Sequence, residues 1–334
     1  MSTAVWFPRA RTVELREEQL PEIGAGEIRV RAVVSGLSHG TEMLVYRGQA
    51  PEGTQLDLPT LRGGFGFPIK YGYASVGRVA EVGPSVEGLL PGDLVFALHP
   101  HQTDYTLSAA LAVLLQPGLP AELGVFVANL ETAVNVLLDA SPRLGERIVV
   151  FGQGVVGLLI TQLLRRAGAG MIVAVDPLPL RRDLARISGA DTVLSPGAGL
   201  SKAVRELTDG AGADIVVEAS GNPEALNQAL DCAAFEGTIV VSSWYGTKSA
   251  RLALGGAFHR GRVRIISSQV GAIDAALQPR WSKARRVALV RELLPKLELA
   301  PLITHRIPFE RAAAAYTLVD EHPEQVVQVV LTYP

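Results

Sequence analysis

Gly152, Gly154 and Gly157 stand in the spacing G-x-G-x-x-G, after the β-branched run Ile148-Val149-Val150-Phe151 and before an apolar-periodic stretch to about Ala167. Between a buried strand and a helix, that spacing can cradle a pyrophosphate. Gly152 permits the tight turn, Gly154 lets the phosphates approach the backbone, and Gly157 lets the helix close on the sheet. The helix head, carrying Val155 and Val156, adds unpaired N–H groups and the positive end of the helix dipole. Asp176 ends the next apolar run, Val173-Ala174-Val175. A carboxylate there accepts hydrogen bonds from a ribose 2′-hydroxyl and repels a 2′-phosphate, which favours NAD over NADP. Arg181 and Arg182 follow on the next helix, where one could pair with a phosphate instead. His99 and His101 lie two apart after an apolar run. A metal there would need a third ligand from elsewhere, and a general-acid role for one of them fits better, because histidine titrates near neutral pH.

The elements that must position these groups alternate in type. A helix is expected over 122–140, then strand 148–151, a helix to 167, strand 172–175, helix 179–188 and strand 192–194. A helix over 200–208, strand 214–218, helix 223–234 and strands 238–243 and 263–267 complete the series. This is an α/β pattern, a doubly wound parallel sheet whose ligand lies across the C-terminal strand edge. Ser220-Gly221 and Ser243-Trp244 sit on that edge and join the cofactor-binding set. The first 116 residues read instead as β-structure broken by Gly and Pro, with period-two alternation over 27–35 and 75–82 and a strand over 94–98. A Gly- and Pro-rich stretch over 49–73 reads as a surface excursion on the substrate side. Helices over 283–294 and 310–320 follow, then a β-branched strand over 326–332 expected to return to the N-terminal β-domain. The expected division is therefore 1–119 with 272–334 as the catalytic domain and 120–271 as the dinucleotide domain.

Composition narrows the class. The chain has 334 residues, 48% of them hydrophobic, and a formal net charge of −2. That suits a two-domain globular enzyme and excludes a disordered or polyanion-binding chain. Neither a basic stripe for nucleic acid nor an uninterrupted membrane span is evident. The N-terminus lacks the plan of a signal peptide, and the single cysteine, Cys232, excludes internal disulfides. A cytoplasmic location is expected.

The phrases VVSGLSHGTE (33–42), the 71–93 block with its Pro91-Gly92-Asp93 turn, the glycine motif, and DIVVEASG (214–221) together resemble the medium-chain dehydrogenase/reductase superfamily. The resemblance spans essentially the whole chain. It implies a Rossmann domain inserted in a GroES-like β-domain, hydride transfer at nicotinamide C4, and a homodimer or tetramer. SGLSHGTE, PIKYGYASVGRV and VFALHPHQT further resemble the branch around bacteriochlorophyllide a dehydrogenase, which oxidises a hydroxyethyl group on a chlorin. Zinc-bearing members carry Cys where this chain has Ser38, and Gly-His-Glu where it has Gly72-Tyr73-Ala74; the four-cysteine lobe is absent. The implied branch is zinc-free, with no catalytic or structural zinc.

Without a metal, the oxygen left by hydride transfer needs a protein donor or acid. Tyr73, at the former His position, can donate or relay a proton, or simply pack with its hydroxyl bonded to backbone. Ser38 can orient the substrate oxygen or form a turn. His39 sits where the family places a cofactor-phosphate or relay residue. Glu42 is either a buried carboxylate or a surface charge, and His99 is a candidate acid. Glu131, where zinc members place their last ligand, is expected to bond a neighbour. Tyr46, Phe65, Phe67, Trp244, Tyr245 and Trp281 could line an apolar pocket. The leading expectation is a zinc-independent NAD(H)-dependent alcohol dehydrogenase or ketoreductase for a sizeable, partly apolar small molecule. An NADPH-dependent quinone or enone reductase and a non-catalytic NAD(P)-binding redox sensor are the alternatives.

Overall fold

The computed structural model describes Met1–Pro334 apart from residues 52, 55–57, 59 and 62. Those six belong to the expected 49–73 excursion, and that part of the expectation lies outside the described residues. The chain forms two compact units, Met1–Ala128 with Leu294–Pro334, and Asn129–Leu293.

In the first unit, β1 (Ser2–Trp6) and β2 (Glu14–Glu18) form an antiparallel pair. Next comes β3 (Glu27–Gly36), whose Ile28, Val30, Ala32 and Val34 are buried on one face, as period-two alternation requires. After the short helix α1 (Thr41–Tyr46), β4 (Ser75–Val82), β5 (Leu94–Ala97), β6 (Asp104–Ser108) and β7 (Val113–Leu114) extend the sheet around β3. The single helix expected over 122–140 is in fact a 3₁₀ segment, Ala121–Phe126, followed by α2 (Val127–Ala140). The reason is packing: a Cβ on Gly124 would lie 2.6 Å from a Leu115 methyl and 2.9 Å from a Val76 methyl, so this turn is pressed onto the sheet. By length and apolarity the stretch Ala121–Ala140 could cross a membrane, yet 56% of its most apolar window is buried within the protein, as in a core helix.

The second unit alternates strictly: β8 (Arg147–Phe151), α3 (Val155–Arg166), β9 (Met171–Val175), α4 (Pro179–Ile187), β10 (Thr192–Leu194), α5 (Leu200–Leu207), β11 (Ala213–Glu218), α6 (Pro223–Cys232) and β12 (Ala233–Val241). A one-turn helix α7 (His259–Gly261) and β13 (Arg264–Ser267) follow. The six strands are parallel in the order β10-β9-β8-β11-β12-β13. Both faces are covered, which is why β8, β9 and β11 are nearly continuous apolar runs. Helix α8 (Lys283–Leu293) closes this unit. It was expected in the other domain, but its Arg286 reaches Glu131 and Asn135 on α2, and the boundaries fall at 128/129 and 293/294 rather than 119/120 and 271/272.

The chain then returns to the first unit with β14 (Ile303–Pro308), α9 (Ala312–Glu321) and β15 (Gln328–Thr332). β15 pairs antiparallel with the end of β3, aligning Leu331 with Ser35.

Candidate active site

The cofactor cradle forms at the C-terminal edge of β8. Gly152 has φ +83°, and a Cβ there would lie 2.5 Å from the Ser220 backbone. A Cβ on Gly157 would lie 1.8 Å from the Gly152 carbonyl oxygen, so only glycine lets α3 start this close to the strand. Gly154, the N-cap of α3, meets nothing within 4 Å. The two outer glycines are closed by protein while the middle one faces open space, the arrangement a pyrophosphate needs. Val155 is buried and Val156 partly so, at the head of a twelve-residue helix.

Asp176 is 2% exposed. Its Oδ2 accepts from the Gln153 amide at 2.7 Å and its Oδ1 from the Leu178 amide at 2.9 Å, so the carboxylate braces the glycine turn. These two bonds leave part of its acceptor capacity unused. Arg181 lies 3.9 Å from that carboxylate, and Arg182 donates to the carbonyls of Asp176 and Pro177. Glu218, fully buried at the end of β11, accepts from the Ser220 amide at 2.7 Å, from the Ser220 hydroxyl, and from Tyr245 at 2.6 Å. The Gly221 amide donates to Ser243 at 2.9 Å. Ser220, Gly221, Ser243 and the half-buried Trp244 therefore belong to one braced pair of loops. Tyr245 is half-buried with its hydroxyl held by Glu218; burial, together with that bond, keeps the phenol well above its ordinary range.

A second cluster forms in the first unit, where β3 ends. Glu42, in the first turn of α1, folds back so that its Oε2 accepts from the Ser38 amide at 2.9 Å. Its Oε1 accepts from the Tyr316 hydroxyl of α9 and from His101 Nε2 at 2.8 Å. His101 Nδ1 lies 2.7 Å from the Ser35 hydroxyl, itself 2.8 Å from the Tyr333 hydroxyl. A carboxylate has no hydrogen to give, so the hydrogen between His101 and Glu42 sits on Nε2. The Ser35 hydroxyl can give or take the hydrogen at Nδ1 and at Tyr333. Glu42 and His101 are both 0% exposed. Above this chain the half-buried Tyr73 donates its hydroxyl to Ser38 Oγ. Burial pushes the Tyr73 phenol up to about 12; the Ser38 bond opposes the rise and the Glu42 charge adds to it. At neutral pH the phenol is protonated, and Ser38, having accepted its hydrogen, keeps its own O–H to give.

Other expected residues fall elsewhere. His39 is half-buried on the turn leading into α1. His99 departs from the general-acid expectation: burial pulls it down to about 3, its Nδ1 lies 3.0 Å from the Pro100 carbonyl, and its ring stacks on Tyr105 at 3.7 Å. It is neutral across the physiological range. Tyr46 is a core residue against Phe7 and Tyr316, and Phe67 packs against the same core. Phe65 touches Tyr71, with ring centroids 5.8 Å apart, and Trp281 is covered by Arg285. Glu131 accepts two hydrogen bonds from Arg286, at 2.8 and 3.0 Å. Among the described residues, His, Cys, Asp and Glu form no group of three that could hold a metal ion. Ser35, Tyr316 and Tyr333 were missed; no local pattern marks them, since Tyr333 meets Ser35 across 298 positions.

Residues 155–288 match the model of a family described as zinc-binding dehydrogenase. The chain is 30% identical over 343 residues to D-guloside 3-dehydrogenase of Escherichia coli (strain K12), covering 97% of both proteins. It is also 30% identical over 340 residues to 2-desacetyl-2-hydroxyethyl bacteriochlorophyllide A dehydrogenase of Cereibacter sphaeroides, covering 97% of this chain and 96% of that one. Among solved structures, an alcohol dehydrogenase of Escherichia coli CFT073 complexed with NADH superposes with a TM-score of 0.82 at 20% identity, covering 99% of both chains.

Proposed function

Because the chain belongs to the medium-chain dehydrogenase/reductase superfamily, and is an oxidoreductase of that type, we propose that it is an NAD(H)-dependent dehydrogenase or ketoreductase that works without zinc. Its substrate on this reading is a secondary alcohol or ketone of a sizeable, partly apolar molecule. The observation that carries the proposal is the Tyr73–Ser38 hydrogen bond at the position where zinc-bearing members have metal ligands. The donor set supports it: Ser38 and Tyr73 hold each other, and Glu131 is held by Arg286.

The cradle of Gly152, Gly154 and Gly157, with Asp176 for the ribose, would hold a dinucleotide whose nicotinamide supplies or accepts the hydride. In the reductive direction the carbonyl carbon gains the hydride and its oxygen gains a proton. Ser38 gives that proton and is refilled from Tyr73, whose phenolate regains a proton from solvent before the next turnover; the reverse sequence serves oxidation. The raised phenol stays protonated at neutral pH, so its hydrogen is there to give. The names of the two relatives describe dehydrogenation of a D-guloside and of a 2-desacetyl-2-hydroxyethyl bacteriochlorophyllide. A homodimer is part of the proposal, because β13 is an outer strand with one open ladder; a monomeric mass in solution would count against it.

The test is nicotinamide absorbance during turnover on chelator-treated protein. NAD and NADP are crossed with secondary alcohols, ketones, glycosides, a hydroxyethyl chlorin, quinones and enones. Turnover of an alcohol or ketone with NAD(H) after metal removal supports the reading. Activity that returns only with added zinc rejects the metal-free part. Reduction of quinones or enones with NADPH alone replaces the dehydrogenase with a reductase.

A further inference from the structure

One buried imidazole touches a support of each member of the Tyr73–Ser38 pair. On one side His101 Nε2 holds Glu42, and Glu42 holds the Ser38 amide. On the other side the ring lies against Gly72, the residue before Tyr73. A Cβ on Gly72 would come within 2.7 Å of His101 Cδ2 and 2.8 Å of Nε2, and Gly72 has φ +128°. Glycine is thus required there for the imidazole to lie beneath the Tyr73 backbone. The ring is oriented from behind by Ser35 and Tyr333, and the carboxylate by Tyr316. Three separate stretches of chain, 35–42, 71–73 and 316–333, converge on this side chain, which no solvent reaches.

We propose that His101 is a positioning residue for the reaction, fixing Ser38 through Glu42 and Tyr73 through Gly72, so that the two hydroxyls hold the spacing for proton transfer. His101 touches neither substrate nor cofactor on this account. The hydrogen-bond chain that links Tyr333, Ser35, His101 and Glu42 is continuous. Removing any link lets the imidazole turn or change tautomer and releases the Ser38 turn. The inference rests on the reading that Ser38 and Tyr73 handle the proton, and the experiment separates the two.

The experiment compares steady-state kcat, substrate KM and NADH affinity of five variants with the parent, using the substrate that turns over fastest. His101→Leu is expected to lower kcat about a hundredfold, as misplacement of reacting groups does, with NADH affinity unchanged. His101→Gln, whose amide can still donate to Glu42, recovers most of that loss. Ser35→Ala frees Nδ1 and lowers kcat less; being a small change, it decides the matter if His101→Leu does not fold. Tyr105→Phe removes a buried hydrogen bond to Ser75 in the same unit, outside the chain, and serves as the control for stability loss alone. If the His101 and Ser35 variants keep the parent kcat, or lose no more than Tyr105→Phe, the proposal is overturned. If Tyr73→Phe also keeps the parent kcat, the proton-handling reading falls with it. If Tyr73→Phe is slow while the His101 and Ser35 variants are not, only the positioning role of His101 falls.

Discussion

The two working regions of this protein are built in opposite ways. The cradle uses backbone: three glycines within six residues, one helix head and a carboxylate that braces the turn. The cluster at the end of β3 uses side chains from positions 35, 38, 42, 73, 101, 316 and 333. Backbone amides offer the same donors whatever the side chains are, so a local motif suffices to hold a dinucleotide and says nothing of the reaction. Proton handling needs a particular hydroxyl beside a particular charge, which only long-range packing assembles. On the proposed reading, binding is thus encoded locally, and chemistry globally.

The sharpest way to break that contrast lies inside the glycine motif. Gly157→Ala drives a methyl into the Gly152 carbonyl and is expected to cost about 3 kcal/mol of stability in urea unfolding, with loss of dinucleotide binding. Gly154→Ala meets no protein atom and should unfold like the parent, yet bind NADH about tenfold more weakly, or about 1.4 kcal/mol, by titration. Equal behaviour of the two would show that the middle glycine does not face the ligand.

Arg286→Met tests whether a distant side-chain network in the cofactor unit behaves like the one in the substrate unit. Arg286 ties Glu131, Asn135 and the Val270 carbonyl together while nearly fully buried. Its loss is expected to cost about 3 kcal/mol in unfolding free energy with kcat nearly unchanged. A kcat fall matching that of Tyr73→Phe would erase the distinction between the regions. Tyr73→Phe itself is expected to lower kcat about a hundredfold with unchanged stability and NADH affinity, read by turnover and titration.

The smallest effect is the pH profile. With the Tyr73 phenol pushed up to about 12, its acid form prevails throughout the neutral range. Ketone reduction should therefore be independent of this group from acid to mildly alkaline pH. Alcohol oxidation, which needs the base form, should keep rising with pH without reaching a plateau at moderate alkalinity. A plateau near neutral pH in the oxidative direction would show that another group takes the proton.

The sequence makes the parallel sheet legible because its strands are buried on both faces and its helices recur at short intervals; every strand of that unit lies close to its expected place except β12, which starts at Ala233, five residues before the expected 238. Asp176 and the three glycines were equally legible, since their spacing is their meaning. The β1–β2 hairpin escaped notice because β2, Glu14–Glu18, is mostly charged and half-exposed, with little apolar alternation. Residues 122–140 read as one helix because periodicity does not report the pressure of Gly124 on Leu115 and Val76. Glu42 and His101 were visible as residues but not as partners. Their pairing depends on a sheet register and a glycine at 72, neither of which is marked by residue type.

Chain order gives the hydrogen-bond chain behind His101 a temporal meaning. Synthesis runs from one end to the other, and domains generally close as units while it proceeds. All of Asn129–Leu293 is made before Tyr316 and Tyr333 exist, so the cradle can close while Glu42 and His101 still lack these two supports. On the proposed reading, each molecule gains its grip on a dinucleotide before its means of moving a proton, and a chain arrested between residues 293 and 316 is expected to hold NADH without turning it over.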